Sequence, residues 1–179
     1  MRTITLCNFL GDYLTVNIIV VVYTLFATWR WGDWRSWRKY HSTMLYVALC
    51  NLFYAFLYSG HHLWRVKPDF GGYKISDSLF TFIVFPLTAL LLLSNYPQNF
   101  KGQILRIFKY VTIYFVVEYV YNVFGKIEYD YGWKLLYSFV WLCMMFFLMV
   151  LHHKNPLLTY AISFLFVVVM LILFPVNLF

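Results

Sequence analysis

Charge is what this sequence has least of: Asp, Glu, Lys and Arg together make up 12% of its 179 residues, against roughly a quarter in an ordinary soluble domain. Hydrophobic residues make up 63%. A water-soluble core of this size hides only about 70% of the unfolded chain's surface, so the apolar excess would face water as a large patch. That excludes a soluble globular fold, and lipid is the solvent that accommodates the chain. Cysteine is also scarce. Cys7, Cys50 and Cys143 are an odd number without metal-ligand spacing, and the last two lie within apolar runs. They read as small packing residues rather than as disulfide, redox or metal-binding positions. Missing too are a Gly-rich phosphate loop, a Walker motif, a serine nucleophile elbow and a paired-histidine zinc helix. Their absence argues against an enzyme, and no metal or cofactor is expected. Apolar and polar residues do not alternate in Ile18 to Val22 or Phe164 to Phe174, which rules out the strands of a membrane barrel.

What is present is a series of long apolar runs. A helix rises about 1.5 Å per residue, so roughly 20 mainly apolar residues cross about 30 Å of hydrocarbon. Six stretches meet or approach that length: Phe9 to Trp29, Ser42 to Ser59, Ser78 to Ser94, Ile104 to Phe124, Trp133 to Leu151 and Pro156 to Pro175. The expected fold is therefore all-α, a single transmembrane bundle of about six helices, with no soluble domain and no long linker. Arg2 precedes the first run without a small-residue cleavage site, so that run is read as a span rather than a signal peptide.

Boundary signals accompany the spans. Ser76 and Asp77 read as N-cap and first-turn acid of the third, and Asn155-Pro156 as a cap with proline at the first helical position. Pro86, inside the third span, is expected to kink it. Trp29, Trp31, Trp34, Trp64 and Trp133 sit at or just beyond span ends, the place of an interfacial aromatic belt; Trp37 lies in the first loop and Trp141 mid-span.

The net charge of +7 does not imply nucleic acid, because the basic residues fall in short loops rather than on one accessible face. The densest cluster, Arg30, Arg35, Arg38 and Lys39, follows the first span. It places that loop in the cytoplasm and both termini outside, and its interleaved tryptophans suit contact with lipid headgroups. The His61-His62 and His152-His153 pairs close spans two and five on opposite faces. Adjacent helical residues diverge by about 100°, so each pair is a poor chelate, and both are expected as interfacial polar residues. The two pairs do not establish an inverted repeat.

Glu118 carries the most weight. An ionised carboxylate in hydrocarbon is costly, so intramembrane acids usually face the bundle interior and are paired, protonated or functional. No Lys or Arg lies within one helical turn of it. Tyr114, Tyr121 and Asn122 stand four before, three after and four after it on one helix face, and Asn17 and Asn51 fall near the middles of spans one and two. A polar layer shared by spans one, two and four follows, either as interhelical hydrogen bonding that holds the bundle together or as a ligand, ion or proton site.

Several stretches, Leu49-Cys-Asn-Leu-Phe-Tyr-Ala-Phe-Leu57, Leu63-Trp64, Phe85-Pro86 with Asn95-Tyr-Pro97, Gly125-Lys-Ile-Glu-Tyr-Asp-Tyr-Gly-Trp133 and Leu151-His-His-Lys-Asn-Pro-Leu-Leu158, resemble a family of small, uncharacterised multi-pass membrane proteins of endospore-forming Firmicutes. The resemblance runs from the second span to the C-terminus. It implies a bacterial plasma-membrane protein and brings no activity with it. Three functional readings stand side by side: a small transporter, channel component or sensor using the layer around Glu118; a structural subunit docked onto another membrane protein or a second copy; and a membrane-embedded enzyme.

Overall fold

In the computed structural model, residues 16–68 and 72–176 are described. Residues 9–15 of the first expected span, with Arg2 and Cys7, lie outside them. Six helices carry the fold: α1 (Val16–Trp31), α2 (Trp37–Leu57), α3 (Tyr73–Leu93), α4 (Phe100–Val123), α5 (Leu135–Lys154) and α6 (Pro156–Leu173). Three of them, α3, α5 and α6, are long and apolar enough to cross a membrane. The described part of α1 is apolar but only 16 residues long. Charge sets α4 apart, which carries Lys101, Arg106, Lys109 and Glu118, whereas α2 is diluted by uncharged polar residues such as His41, Ser42, Thr43 and Asn51.

Helix α3 is the centre of the bundle. Its second half, Phe85–Leu93, is apolar but for Thr88, and nearly all of its residues are buried among the neighbouring helices. Leu90, Leu92 and Ala89 are fully enclosed by α1, α2, α4 and α5, and Phe146 and Met149 of α5 complete this core. Helix α6 lies at the periphery, packed along α5, and shows Leu157, Phe164, Leu165 and Ile172 outward.

Pro86 is accommodated within a helix that is continuous from Tyr73 to Leu93. Having no N–H, it would also collide with the carbonyl four residues back in a regular helix. The preceding turn, Phe80–Val84, widens instead to a π-helical geometry in which Phe85 N–H reaches Phe80 O, a known way of seating such a residue. The expected cap at Asn155 forms: its Oδ1 accepts from Leu158 N–H at 3.3 Å, with Pro156 following.

Four expectations are corrected. Helix α3 starts at Tyr73 after Gly72, so Ser76 and Asp77 are helical residues with side-chain partners elsewhere rather than caps. The basic first loop is shorter than read, because α2 already begins at Trp37. Trp133 is buried in a second core with Tyr58, Leu63 and Met170, and Trp64 is half-buried, so neither belongs to an outer belt; Trp29, Trp31, Trp34 and Trp37 are exposed. His152 is 1% exposed rather than interfacial. Its Nδ1 lies 3.0 Å from Thr43 Oγ1, its Nε2 lies 3.2 Å from Tyr160 OH, and its ring stacks on Tyr46 at 4.3 Å. Both ring nitrogens are thus used in joining α2, α5 and α6. The two histidine pairs do sit at opposite ends of α2.

A feature the sequence reading lacks is a short antiparallel ribbon over one end of the bundle. It pairs β1 (Trp64–Val66) with β2 (Ile127–Tyr129) in the register Trp64 to Tyr129, Arg65 to Glu128 and Val66 to Ile127.

Candidate functional site

The site is built on α4, which packs along α5 but approaches α3 only sparingly. The resulting gap is a cavity of about 570 Å³, within the range of small-molecule sites. Lining residues that are also exposed, Tyr23 and Trp31 on α1 with Lys109 and Ile113 on α4, mark its opening as a slit between those two helices.

Glu118 faces this cavity. Its partner is a tyrosine rather than a cation: Tyr129 OH donates to Glu118 Oε1 at 2.7 Å. Local backbone chemistry delivers that tyrosine. Helix α4 ends in a Schellman motif, with Lys126 N–H to Tyr121 O at 2.8 Å, Gly125 N–H to Asn122 O at 2.9 Å, and Gly125 at φ 62°. That left-handed conformation is open to glycine at little cost. The chain therefore reverses into β2 and lays Tyr129 back over the last turns of α4. Burial, and then the Glu118 carboxylate that accepts its hydrogen bond, hold the Tyr129 phenol well above its ordinary value. It remains a donor throughout the physiological range.

The other predicted residues divide between three separate contacts. Tyr121 OH donates to Asn17 Oδ1 at 2.8 Å, while Asn17 Nδ2 donates to Lys67 O at 3.0 Å and Ser76 Oγ at 3.3 Å. These bonds tie α1, α3 and α4 together beside Glu118. Asn51 on α2 turns to α3 instead: its Nδ2 donates to Thr81 Oγ1 at 2.7 Å, and Thr81 in turn donates to Asp77 O at 2.7 Å. Tyr114 OH meets Thr88 Oγ1 at 2.5 Å. Tyr114, Tyr121 and Asn51 line the cavity with Glu118, whereas Asn122 is exposed and does not line it but meets Tyr129, the partner of Glu118. The expected single layer through spans one, two and four is thus a set of pairs, and each runs through α3 or the ribbon.

Sequence reasoning missed the charged groups at the two ends of the cavity. At the ribbon end Arg65 pairs with Asp77 at 3.4 Å and lies 3.8 Å from the centre of the Tyr73 ring. Lys67 pairs with Glu128 at 3.5 Å on the ribbon's outer edge. At the other end are Arg106 and Lys109. Arg106 Nη2 donates to Leu91 O and Ser94 O, both at 2.9 Å, so it also caps the C-terminus of α3. Spacing alone gave no sign of these partners, because each comes from a different segment. Among the described residues no group of three metal-ligating side chains is present. No protein-family model, curated protein or solved structure matches the chain.

Proposed function

We propose that this chain is a polytopic protein of a bacterial plasma membrane in which all six helices cross the bilayer. In this reading it works as a small transporter, channel component or sensor through the cavity that Glu118 faces. The observation that carries the reading is the position of the carboxylate: it looks into open volume instead of being sealed by packing. A bundle held together by polar contacts alone has no need of such a cavity. The alternative, a subunit docked against another membrane protein or a second copy of the chain, would be favoured by a lipid-facing stripe of small residues. The outward faces of α4 and α6 carry large side chains instead, such as Phe108, Phe164 and Leu165.

Accessibility tests the reading. With Cys7, Cys50 and Cys143 replaced by serine, a Val117→Cys variant is expected to react with a small neutral methanethiosulfonate. An Ala89→Cys variant, at an enclosed position on α3, is expected to stay unmodified. Failure of the Val117→Cys thiol to react while the protein remains folded would overturn the cavity as a site.

Orientation has its own test. The basic segment around Ser36 is placed in the cytoplasm by the positive-inside rule. In the same background, Ser36→Cys is expected to resist an impermeant maleimide added outside intact cells and to react once the membrane is permeabilised. Labelling in intact cells would reverse the topology.

A further inference from the structure

The cavity differs from end to end. Arg106 and Lys109 line one end, and Glu118 with the Arg65–Asp77 pair lines the other. Between them the walls are Val20, Val84, Phe85, Ile113 and Leu142. From Arg106 to Glu118 is twelve residues of α4, or roughly 18 Å along the helix axis. One leaflet of hydrocarbon is about half of 30 Å. A mainly apolar cavity spanning somewhat more than one leaflet's depth and open along the side between α1 and α4 suits an acyl chain entering from the surrounding lipid.

We propose that the cavity takes a single-chain anionic amphiphile, with its headgroup at Arg106 and Lys109 and its hydrocarbon chain running toward Glu118. This deepens the functional reading above and rests on it. The charges fix the direction. At the Arg106 end two cations stand without a carboxylate among the cavity-lining residues, so an anion there gains from both. Arg106 keeps its full charge while bonded to neutral carbonyls. At the opposite end Asp77 already neutralises Arg65, and the remaining charge-bearing group, Glu118, is an acid that repels an anionic head. An acyl chain gains little by leaving lipid or a detergent micelle for apolar walls, so affinity resides mainly in the head. Headgroup chemistry, more than chain length, is therefore what the site selects. A carboxylate, as in a free fatty acid, and a phosphate monoester, as in a lysophospholipid-like molecule, share the needed chemistry.

Trp141 lines the cavity toward its Glu118 end, packed against Tyr54 and Trp133, where the chain of a bound amphiphile would lie, and its fluorescence is quenched by bromine on contact. The purified full chain in a neutral maltoside detergent is titrated with four mid-chain brominated amphiphiles of equal length. Their heads are a carboxylate, a phosphate monoester, an alcohol and an amine. Saturable quenching is expected with the carboxylate or the phosphate, and which of the two binds more tightly identifies the source. Either should bind about tenfold more tightly than the alcohol, the order of one favourable charge contact at a partly exposed site. Trp141→Phe should remove most of the saturable component, Trp31 and Trp64 being the other tryptophans that line the cavity. Lys109→Glu should weaken anion binding by about tenfold or more, and Lys101→Glu, on the same helix but away from the cavity, should not. Equal binding of acid and alcohol, preference for the amine, or loss of affinity in both lysine variants alike would overturn the proposal. If the anions fail to quench while the Val117→Cys thiol is still modified, the ligand class is wrong and the cavity reading stands. If neither occurs, both fall.

Discussion

Glu118→Gln is expected to leave the unfolding temperature of the detergent-solubilised protein nearly unchanged while abolishing whatever phenotype the intact gene restores to a deletion strain. The amide keeps the shape of the side chain and still offers an oxygen to Tyr129 OH, 2.7 Å away, so the hydrogen bond survives in neutral form. What is lost is the ability to carry or exchange charge, which a transporter or sensor uses and a scaffold does not. Glu118→Leu separates the two roles further. It removes the carboxylate acceptor from the Tyr129 hydroxyl, and an unmet polar group costs about 1–3 kcal/mol when buried. The cost should fall at the lower end, because Asn122 and Ser138 also stand beside that hydroxyl. A fully active Gln variant would make Glu118 a structural residue, and the transporter or sensor reading would go with it.

The largest effect on stability is expected at Arg106. The guanidinium gathers Leu91 O, Leu92 O and Ser94 O at 2.9–3.4 Å, carbonyls that the end of α3 leaves without helical partners. It also places a positive charge at the negative end of the helix dipole. Hydrogen bonds to a charged group contribute about 1.5–3 kcal/mol each but do not add fully, so Arg106→Leu should lose about 3 kcal/mol. Arg106→Lys keeps the charge but not the planar fork that reaches several oxygens at once, and should lose about half as much. Denaturant or thermal unfolding in detergent measures both. A leucine variant within about 0.5 kcal/mol of the parent, the scatter of ordinary surface substitutions, would show that the carbonyls find water or other donors without it.

Helix positions were legible because the solvent imposes them. Apolar runs of about twenty residues announced every helix, and the bounds differ mainly where charged or aromatic residues extend a helix beyond its apolar stretch, as Trp37 to His41 do for α2. Glu118 was legible for the same reason, as the single acid in a long apolar run. Its partner was not, since Tyr129 reaches it through a ribbon of two three-residue strands. Segments so short have no periodicity to read. The interior place of His152 was hidden differently. Whether a polar residue near a helix end meets water or a neighbouring helix depends on how far α2 and α6 extend beside it, which is a tertiary property. Arg106 and Lys109 fall inside the expected fourth span, Ile104 to Phe124, and the helix begins earlier still, at Phe100; their place at one end of a cavity was hidden because the carbonyls and walls they meet belong to other helices.

The wide turn at Phe80–Val84 also has a meaning for how this molecule can change over time. One residue more in a turn advances everything beyond it by about 100° around the axis. Ser76, Asp77 and Thr81 on the early side therefore meet Asn17, Arg65 and Asn51, while Thr88 on the late side meets Tyr114, in a phasing that a uniform α-helix of the same length would not give. Deleting a single residue between Phe80 and Val84 would let the helix close up and swing one half of these partners away from the other. Length in this short stretch is consequently constrained more tightly than side-chain identity: exchanges of one apolar residue for another are tolerable there, whereas a one-codon gain or loss is not.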